Sequence, residues 1–237
     1  MDQQYELSVI LPVYNEAKSI QKVITEVYEK VLNNFSGPAE LVVAEDGSTD
    51  GTKEILSQLQ AEKGFRLVSG KDRKGYNRAL KDALALAQGK YVFLCDTGGA
   101  HEMGDFMKLY AHIKDNGVVS GFKKERGDPM HRIVLSRIYN LYVSLLFGHR
   151  FYDIDSGFKL YQKKILDQIL SEVNVLKECI STEILLRIHR KGHKITEVPV
   201  IHYKRNFDGP AKTFSYKKIP KIVSQLFLDL WKLRVRI

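Results

Sequence analysis

Asp96 is the residue of this chain best placed for ionic chemistry. It closes a short apolar run, Tyr91 to Cys95, and is followed by Thr97, Gly98 and Gly99 in KYVFLCDTGGAHE. A run of that composition forms a buried strand, and the glycines let the backbone turn sharply behind it. Ligands of open α/β sheets bind just beyond the carboxyl ends of strands. An Asp there can hold a hard cation through oxygen, and the cation can neutralise a diphosphate. Ordinary Asp-Gly turn chemistry accounts for the same letters, so the other motifs decide between the two.

A second acidic stretch, EDGSTDGT at 45–52, puts Asp46, Ser48, Asp50 and Gly51 where a calcium loop has its first, third, fifth and sixth positions. The twelfth position needs a bidentate Glu and is Ser57, and a strand precedes the loop where that motif needs a helix. The calcium reading fails. A carboxylate at a strand end before small polar residues suits a ribose hydroxyl or base edge instead. Turn and cap chemistry explains Ser48, Asp50 and Gly51, leaving Asp46 as the functional position.

These loops are set by alternating strands and helices. Leu7–Leu11 reads as a strand ended by Pro12, and Ile20, Val23, Ile24, Val27 and Val31 mark an amphipathic helix over Ser19–Asn33. A strand over Glu40–Ala44 and a helix carrying Ile55, Leu56 and Leu59 follow. Next come a strand over Phe65–Val68 and a helix over Asn77–Gln88 with Gly89 as its C-cap. Such alternation predicts βαβ units in a mostly parallel, doubly wound sheet. Beyond Asp96 the pattern predicts helices over Phe106–Lys114, 129–147 and Thr182–Arg190. Strands are expected at Val118–Gly121, Gly157–Tyr161 and Lys194–Val200, with a last helical stretch, Ser215–Arg236, interrupted at Pro220.

The 237 residues, 44% hydrophobic and 27% charged, suit one folded domain with a tail. Lys+Arg 37 against Asp+Glu 28 gives a formal charge of +9 and implies anionic partners. Cys95 and Cys179 lie far apart without CxxC spacing, as free thiols in a reducing compartment do. The polar, acidic start, Met1–Glu6, is no secretory signal, and no run is long enough to span a bilayer.

PVYNE (12–16), EDGSTDGT, the Lys74-Gly75 turn and Asp96 after an apolar strand occur in the order seen in family 2 glycosyltransferases. The second half resembles their polyprenyl-phosphate branch, which includes dolichyl-phosphate mannose synthase. The matching pieces are Arg132 and Ser136 in RIVLS, SGFKLY (156–161), Glu183 in STEILL, and EVPV (197–200) with Arg205 and Lys212 beyond. The resemblance spans roughly residues 6–215 and implies the α/β fold called GT-A. It also implies inverting transfer of a sugar from a nucleotide diphosphate to a polyprenyl phosphate.

By the same resemblance, Pro12, Tyr14, Glu16 and Asp46 line the nucleoside pocket with Arg73 or Lys74 near it. Arg205 and Lys212, in RNFDGPAK, belong to a loop over the donor phosphates, and Asp96 holds Mg²⁺ or Mn²⁺. The family shows two metal carboxylates spaced D-x-D, whereas here Asp96 is followed by Thr97-Gly98-Gly99. The site is therefore expected to be weaker, or helped by His101 or Glu102. Lys123, Arg132 and Ser136 match positions facing the lipid phosphate. Such an acceptor is already an oxyanion at neutral pH, so cations must position it and no strong base is required. Asp153 or Asp155 becomes the base to test if the acceptor is a hydroxyl.

The expected layout is a GT-A domain over 1–215 and a basic amphipathic tail over 216–237. The tail mixes Lys and Arg with Ile, Leu, Phe and Trp231, the composition of a helix in a membrane interface, with the helix from Ile133 to Phe147 as a packing partner. A peripheral enzyme on the cytoplasmic face of a membrane is the expectation. Transfer to a glycan or glycolipid hydroxyl, or nucleotide-sugar binding without catalysis, are its rivals. No reading helix or aromatic platform supports a nucleic-acid partner.

Overall fold

The computed structural model describes residues 4–70, 72–98, 100–126, 128, 130–177, 179–204 and 219–237. Its strands are β1 Tyr5–Val13, β2 Ala39–Glu45, β3 Arg66–Ser69, β4 Gly89–Cys95, β5 Val118–Arg126, β6 Phe158–Gln162 and β7 Ile195–His202. Its α-helices are α1 Ile20–Lys30, α2 Thr52–Lys63, α3 Tyr76–Leu86, α4 Phe106–Tyr110, α5 Met130–Phe147, α6 Lys163–Leu170, α7 Ile180–Arg190 and α8 Ile219–Arg236. The strands form one sheet ordered β3-β2-β1-β4-β6-β5-β7. Only β6 runs against its neighbours β4 and β5, so the expected mostly parallel, doubly wound α/β sheet is present.

The period-2 alternation of strands divides the core between the two faces. Leu7, Val9 and Leu11 of β1 join Tyr91 and Phe93 of β4 under α1, α2 and α4. Ile10, Val92 and Leu94 face the other way, toward α3, α6 and α7. On that second side α5 and α8 pack together through Tyr142 and Phe227, whose ring centroids are 4.2 Å apart, and through Arg234 Nε donating to the Leu146 carbonyl.

Several boundaries depart from the sequence reading for identifiable reasons. Pro12 does not end β1, because it still pairs with Ala44. Its carbonyl faces the β4 side, where it accepts from Thr97 Oγ1 at 3.0 Å, and the pairing with β4 has already stopped at Ile10–Leu94. The missing N–H therefore deprives no ladder. Gly89 is not the C-cap of α3; it is the first residue of β4, and Ala87 occupies the cap position. Pro220 lies in the first turn of α8, where its lack of an N–H is tolerated. The α6 helix escaped notice because β6 runs straight into it with no turn residue between Gln162 and Lys163.

Gly89 is required by crowding: a Cβ there would lie 2.6 Å from the Ser8 nitrogen and 2.9 Å from Ser8 Oγ. Gly89→Ala is predicted to destabilise the fold by about 1–3 kcal/mol, the usual effect of forced overpacking. Urea unfolding measures this; an unchanged midpoint would show that β1 and β4 have room to part.

Candidate active site

The topology collects the chemically capable residues at one edge of the sheet. The carboxyl ends of β1, β2, β4 and β5 lie there because those strands run the same way, and antiparallel β6 brings its amino end, with the 152–157 turn, to the same edge. Cys95 pairs with Phe158, so Asp96 and Gly157 are neighbours. The Asp96 N–H donates to the Gly157 carbonyl at 2.9 Å, and a Cβ built on residue 157 would overlap the Asp96 carboxylate. Glycine at 157 gives that carboxylate its seat. Tyr76, opening α3, donates its hydroxyl to Asp96 Oδ1 at 3.2 Å. Burial of that hydroxyl, with the charges of Asp96 and Asp155, pushes the phenol well above its ordinary range.

The turn before Gly157 is held through several of its backbone groups. Glu197 of β7 accepts from the N–H of Tyr152 at 2.9 Å and of Asp153 at 3.0 Å. Asn140 of α5 accepts from Ile154 N–H at 3.0 Å. The Lys159 ammonium, fully buried, donates to the Ser156 carbonyl and to Ser181 Oγ. Burial lowers Lys159 to about 8 against the pull of the Asp155 and Asp153 charges. Asp155 accepts from Thr182 Oγ1 at 3.3 Å. Solvent reaches its open edge, but protein crowding on its other sides raises the carboxyl to about 6, opposed by Lys159 and assisted by Asp153 and Asp96.

The loops after β1 and β2 clasp each other. Asn15, held at φ 54, donates its N–H to Ser48 Oγ at 2.9 Å, and its Oδ1 accepts from Thr49 N–H at 2.8 Å. Glu16 N–H donates to Thr52 Oγ1 and Ala17 N–H to Asp50 Oδ2. Ser48 and Asp50 thus do more than local turn chemistry: they tie the two loops together. The Glu16 carboxylate accepts from Ser19 Oγ at 2.7 Å. Buried Asp46 accepts from the N–H groups of Lys74 and Gly75 at 2.7 and 3.0 Å, fixing the turn that follows β3. Arg73 then lies over the Tyr14 ring, 4.0 Å from its centroid, while Lys74 extends to Asp82 at 3.0 Å. Pro12, Tyr14, Glu16, Asp46, Arg73 and the Lys74 backbone therefore form one connected group.

On the other flank, Lys123 of β5 meets Asp153 at 3.7 Å. Arg132 and Ser136 stand one turn apart on the same side of α5, with Arg132 3.7 Å from Asp128 and the Ser136 carbonyl accepting from Asn140 Nδ2. Arg205 and Lys212 lie outside the described residues. Two residues of the matched motifs prove architectural. Glu183 spends its carboxylate on the N–H groups of Asn174, Val175 and Leu176 and on Arg187, and Glu197 on the 152–153 turn. Sequence reasoning missed Tyr76, Thr97, Gly157 and Lys159 as individual contributors. Only Gly157 and Lys159 carried a signal, as letters within SGFKLY.

Among the described residues no three His, Cys, Asp or Glu side chains are grouped to hold a metal. Glu102 is engaged by Lys30 at 2.7 Å and by the Tyr203 hydroxyl, and His101 stacks on Phe158 at 5.0 Å. The helpers proposed for Asp96 are thus turned to other partners. A single half-buried carboxylate still fits Mg²⁺ or Mn²⁺ carried in by a diphosphate, since such ions bind through one or two carboxylates plus phosphate oxygens and water. The cavity between Tyr5, Tyr28, Lys63 and Arg66 lies at the opposite, amino-terminal edge of the strands.

The family model of glycosyl transferase family 2 matches residues 8–170. Glycosyltransferase AglD of Haloferax volcanii is 31% identical over 98% of this chain and 38% of its own length. Dolichyl-phosphate beta-glucosyltransferase ALG5A of Trichomonas vaginalis is 28% identical over 82% of this chain and 64% of its own. The chain thus spans less than two thirds of the length of either. Among solved structures, mannosyltransferase PcManGT from Pyrobaculum calidifontis, in complex with GDP-Man and Mn²⁺, superposes with a TM-score of 0.69 at 20% identity. That match covers 98% of this chain and 65% of that one, and the likeness establishes the GT-A type of fold.

Because Asp155 binds its proton more tightly when folded, at about 6 against an ordinary 3.8, its stabilising contribution is complete below about pH 3.8 and lost as pH rises through about 6. Asp155→Asn is therefore predicted to resist denaturant better than the wild type above about pH 7 and equally below about pH 4. Urea midpoints across that range check it; a variant less stable at neutral pH would show that the Asp155 charge is well compensated.

Proposed function

Since the chain belongs to glycosyl transferase family 2, we propose that it moves one sugar from a nucleotide-diphosphate sugar to a polyprenyl phosphate at a membrane surface, inverting the anomeric carbon. The observation that carries this reading is the convergence, at one sheet edge, of a rigid clasp of loops around Asp46, a seated Asp96 and the cationic start of α5. The name of the Trichomonas relative, which specifies a dolichyl-phosphate acceptor, supports the choice of acceptor.

Each residue has a physical task in this scheme. The Arg73–Tyr14 stack and the Asp46-braced turn offer a flat wall and N–H groups for the nucleoside. Asp96 would hold Mg²⁺ or Mn²⁺, which supplies charge neutralisation to the departing nucleotide diphosphate. Tyr76 and Gly157 keep the Asp96 carboxylate aimed at that position. The acceptor phosphate is already anionic, so Arg132 with Ser136 orients it and Lys123 adds positive potential, shared with Asp153. Arg205 and Lys212 complete the proposed donor contacts.

A hydroxyl acceptor is the second reading, favoured by Asp155, which is poised at about 6 on the same turn as Gly157. Two variants separate them. With a phosphate acceptor, Arg132→Ala is predicted to raise the acceptor KM by roughly tenfold to a hundredfold, the effect of losing one charge-assisted hydrogen bond. Asp155→Asn should then leave the pH profile of kcat unchanged. An unchanged acceptor KM in the first variant, together with loss of an acidic limb near pH 6 in the second, would transfer the assignment to a hydroxyl. Asp96→Asn should lose metal-stimulated turnover in either case.

A further inference from the structure

Asn140 and Val143, three residues apart on one side of α5, are buried. Val143 belongs to the apolar cluster that also holds Phe151 and Ile154, surroundings that an aliphatic residue at 140 would suit better than an amide. The polarity of Asn140 therefore has a use other than burial. Both ends of its amide are spent: Oδ1 accepts from the Ile154 N–H at 3.0 Å, and Nδ2 donates to the Ser136 carbonyl at 2.9 Å. One side chain thus joins the turn before Gly157 to the residue assigned above to the acceptor phosphate.

Two further side chains of α5 hold the same segment. Ser144 Oγ donates to the Asn140 carbonyl at 2.7 Å and accepts from the Phe151 N–H at 3.4 Å. Tyr139 donates its hydroxyl to Thr182 Oγ1 of α7 at 3.0 Å, and Thr182 Oγ1 donates in turn to Asp155 at 3.3 Å. The order of these contacts fixes a direction. Residues 144, 140 and 139 meet 151, 154 and 155, so the segment runs back along α5 toward the start of the helix. Ser136 and Arg132 lie further that way, about 6 and 12 Å from Asn140 along the axis at the usual rise per residue. The segment itself goes on to Gly157, against which Asp96 is seated.

We infer that Asn140 is a positioning residue for sugar transfer: with Tyr139 and Ser144 it sets the register of α5 against the 151–157 segment, and so the distance from Arg132 and Ser136 to Asp96. A buried amide that must be paired at both ends admits one register, where an apolar contact admits several. Its contribution is to placement and not to net stability. What α5 places rests on the acceptor assignment made above; the brace rests on the hydrogen bonds alone.

Asn140→Leu keeps the branched shape and removes both bonds. Asn140→Asp keeps an acceptor for the Ile154 N–H and loses the donor to Ser136. In the full-length protein, hydrogen exchange reads the Ile154 amide. Steady-state kinetics read the KM for a short, water-soluble polyprenyl phosphate and for the nucleotide sugar that supports turnover. Asn140→Leu is expected to lose protection at Ile154 and to raise the acceptor KM about tenfold, with the nucleotide-sugar KM within about twofold of wild type. Asn140→Asp should keep the protection and raise the acceptor KM by a smaller factor. Tyr139→Phe, which loses only the hydroxyl, is expected to raise it about threefold, and it carries the test if Asn140→Leu does not fold. An unchanged acceptor KM in folded Asn140→Leu without Ile154 protection would overturn the assignment. So would an equal rise in both KM values, the mark of general loosening. If the wild type uses a hydroxyl acceptor, a selective rise in that KM supports the brace and removes the lipid-phosphate reading. Transfer to the lipid phosphate with an unchanged KM in all three variants removes the brace and leaves the reaction.

Discussion

No side chain larger than hydrogen fits between the Asp96 carboxylate and residue 157, and much of the site follows from that contact. For Asp96 to rest there, β6 must run antiparallel to β4 so that Gly157 meets Cys95 and Asp96 in register. For Gly157 to stay there, the preceding turn must be fixed, and Glu197, Asn140 and buried Lys159 fix it from three different elements. The same turn carries Asp153 and Asp155. One crowded glycine thereby couples the central strand β4, the strand β7 and the helix α5.

The loops around Asp46 are built on another economy. Asp46 uses both oxygens on backbone N–H groups and so turns a carboxylate into a brace. Asn15, Ser48 and Asp50 close the neighbouring loops on each other. Glu45, one residue earlier, ionises below its ordinary range: burial opposes this, but the Ser48 N–H, the Ser69 hydroxyl and Lys53 outweigh it. Loops held in this way can present a fixed wall to a nucleoside with little ordering left to do on binding.

The sheet was legible in the sequence because its strands alternate faces and its helices carry long apolar periods. The Tyr91–Cys95 run, the Ile20–Val27 spacing and the position of Asp96 all convert directly into structure. What escaped depends on contacts between distant segments. Gly89 resembled a helix cap in sequence, but its neighbour in space is Ser8. Glu183 sits in a motif that suggests function, yet three N–H groups of the 174–176 loop consume it. Tyr76 had no local signal, since its partner lies twenty residues away. Helix α5 was written in the sequence as an apolar, aromatic helix; which side faces outward is decided by the packing of Asn140 and Val143.

The central claim is that one seated carboxylate, without the second Asp of a D-x-D pair, suffices for metal-assisted transfer to a lipid phosphate. The most direct measurement supplies labelled nucleotide sugars and polyprenyl phosphate in detergent, with Mg²⁺, Mn²⁺ or chelator, to the wild type and to Asp96→Asn. The account predicts a lipid-linked sugar product that requires the metal and disappears in the variant. Product that persists in chelator, or in the variant, would contradict the role given to Asp96.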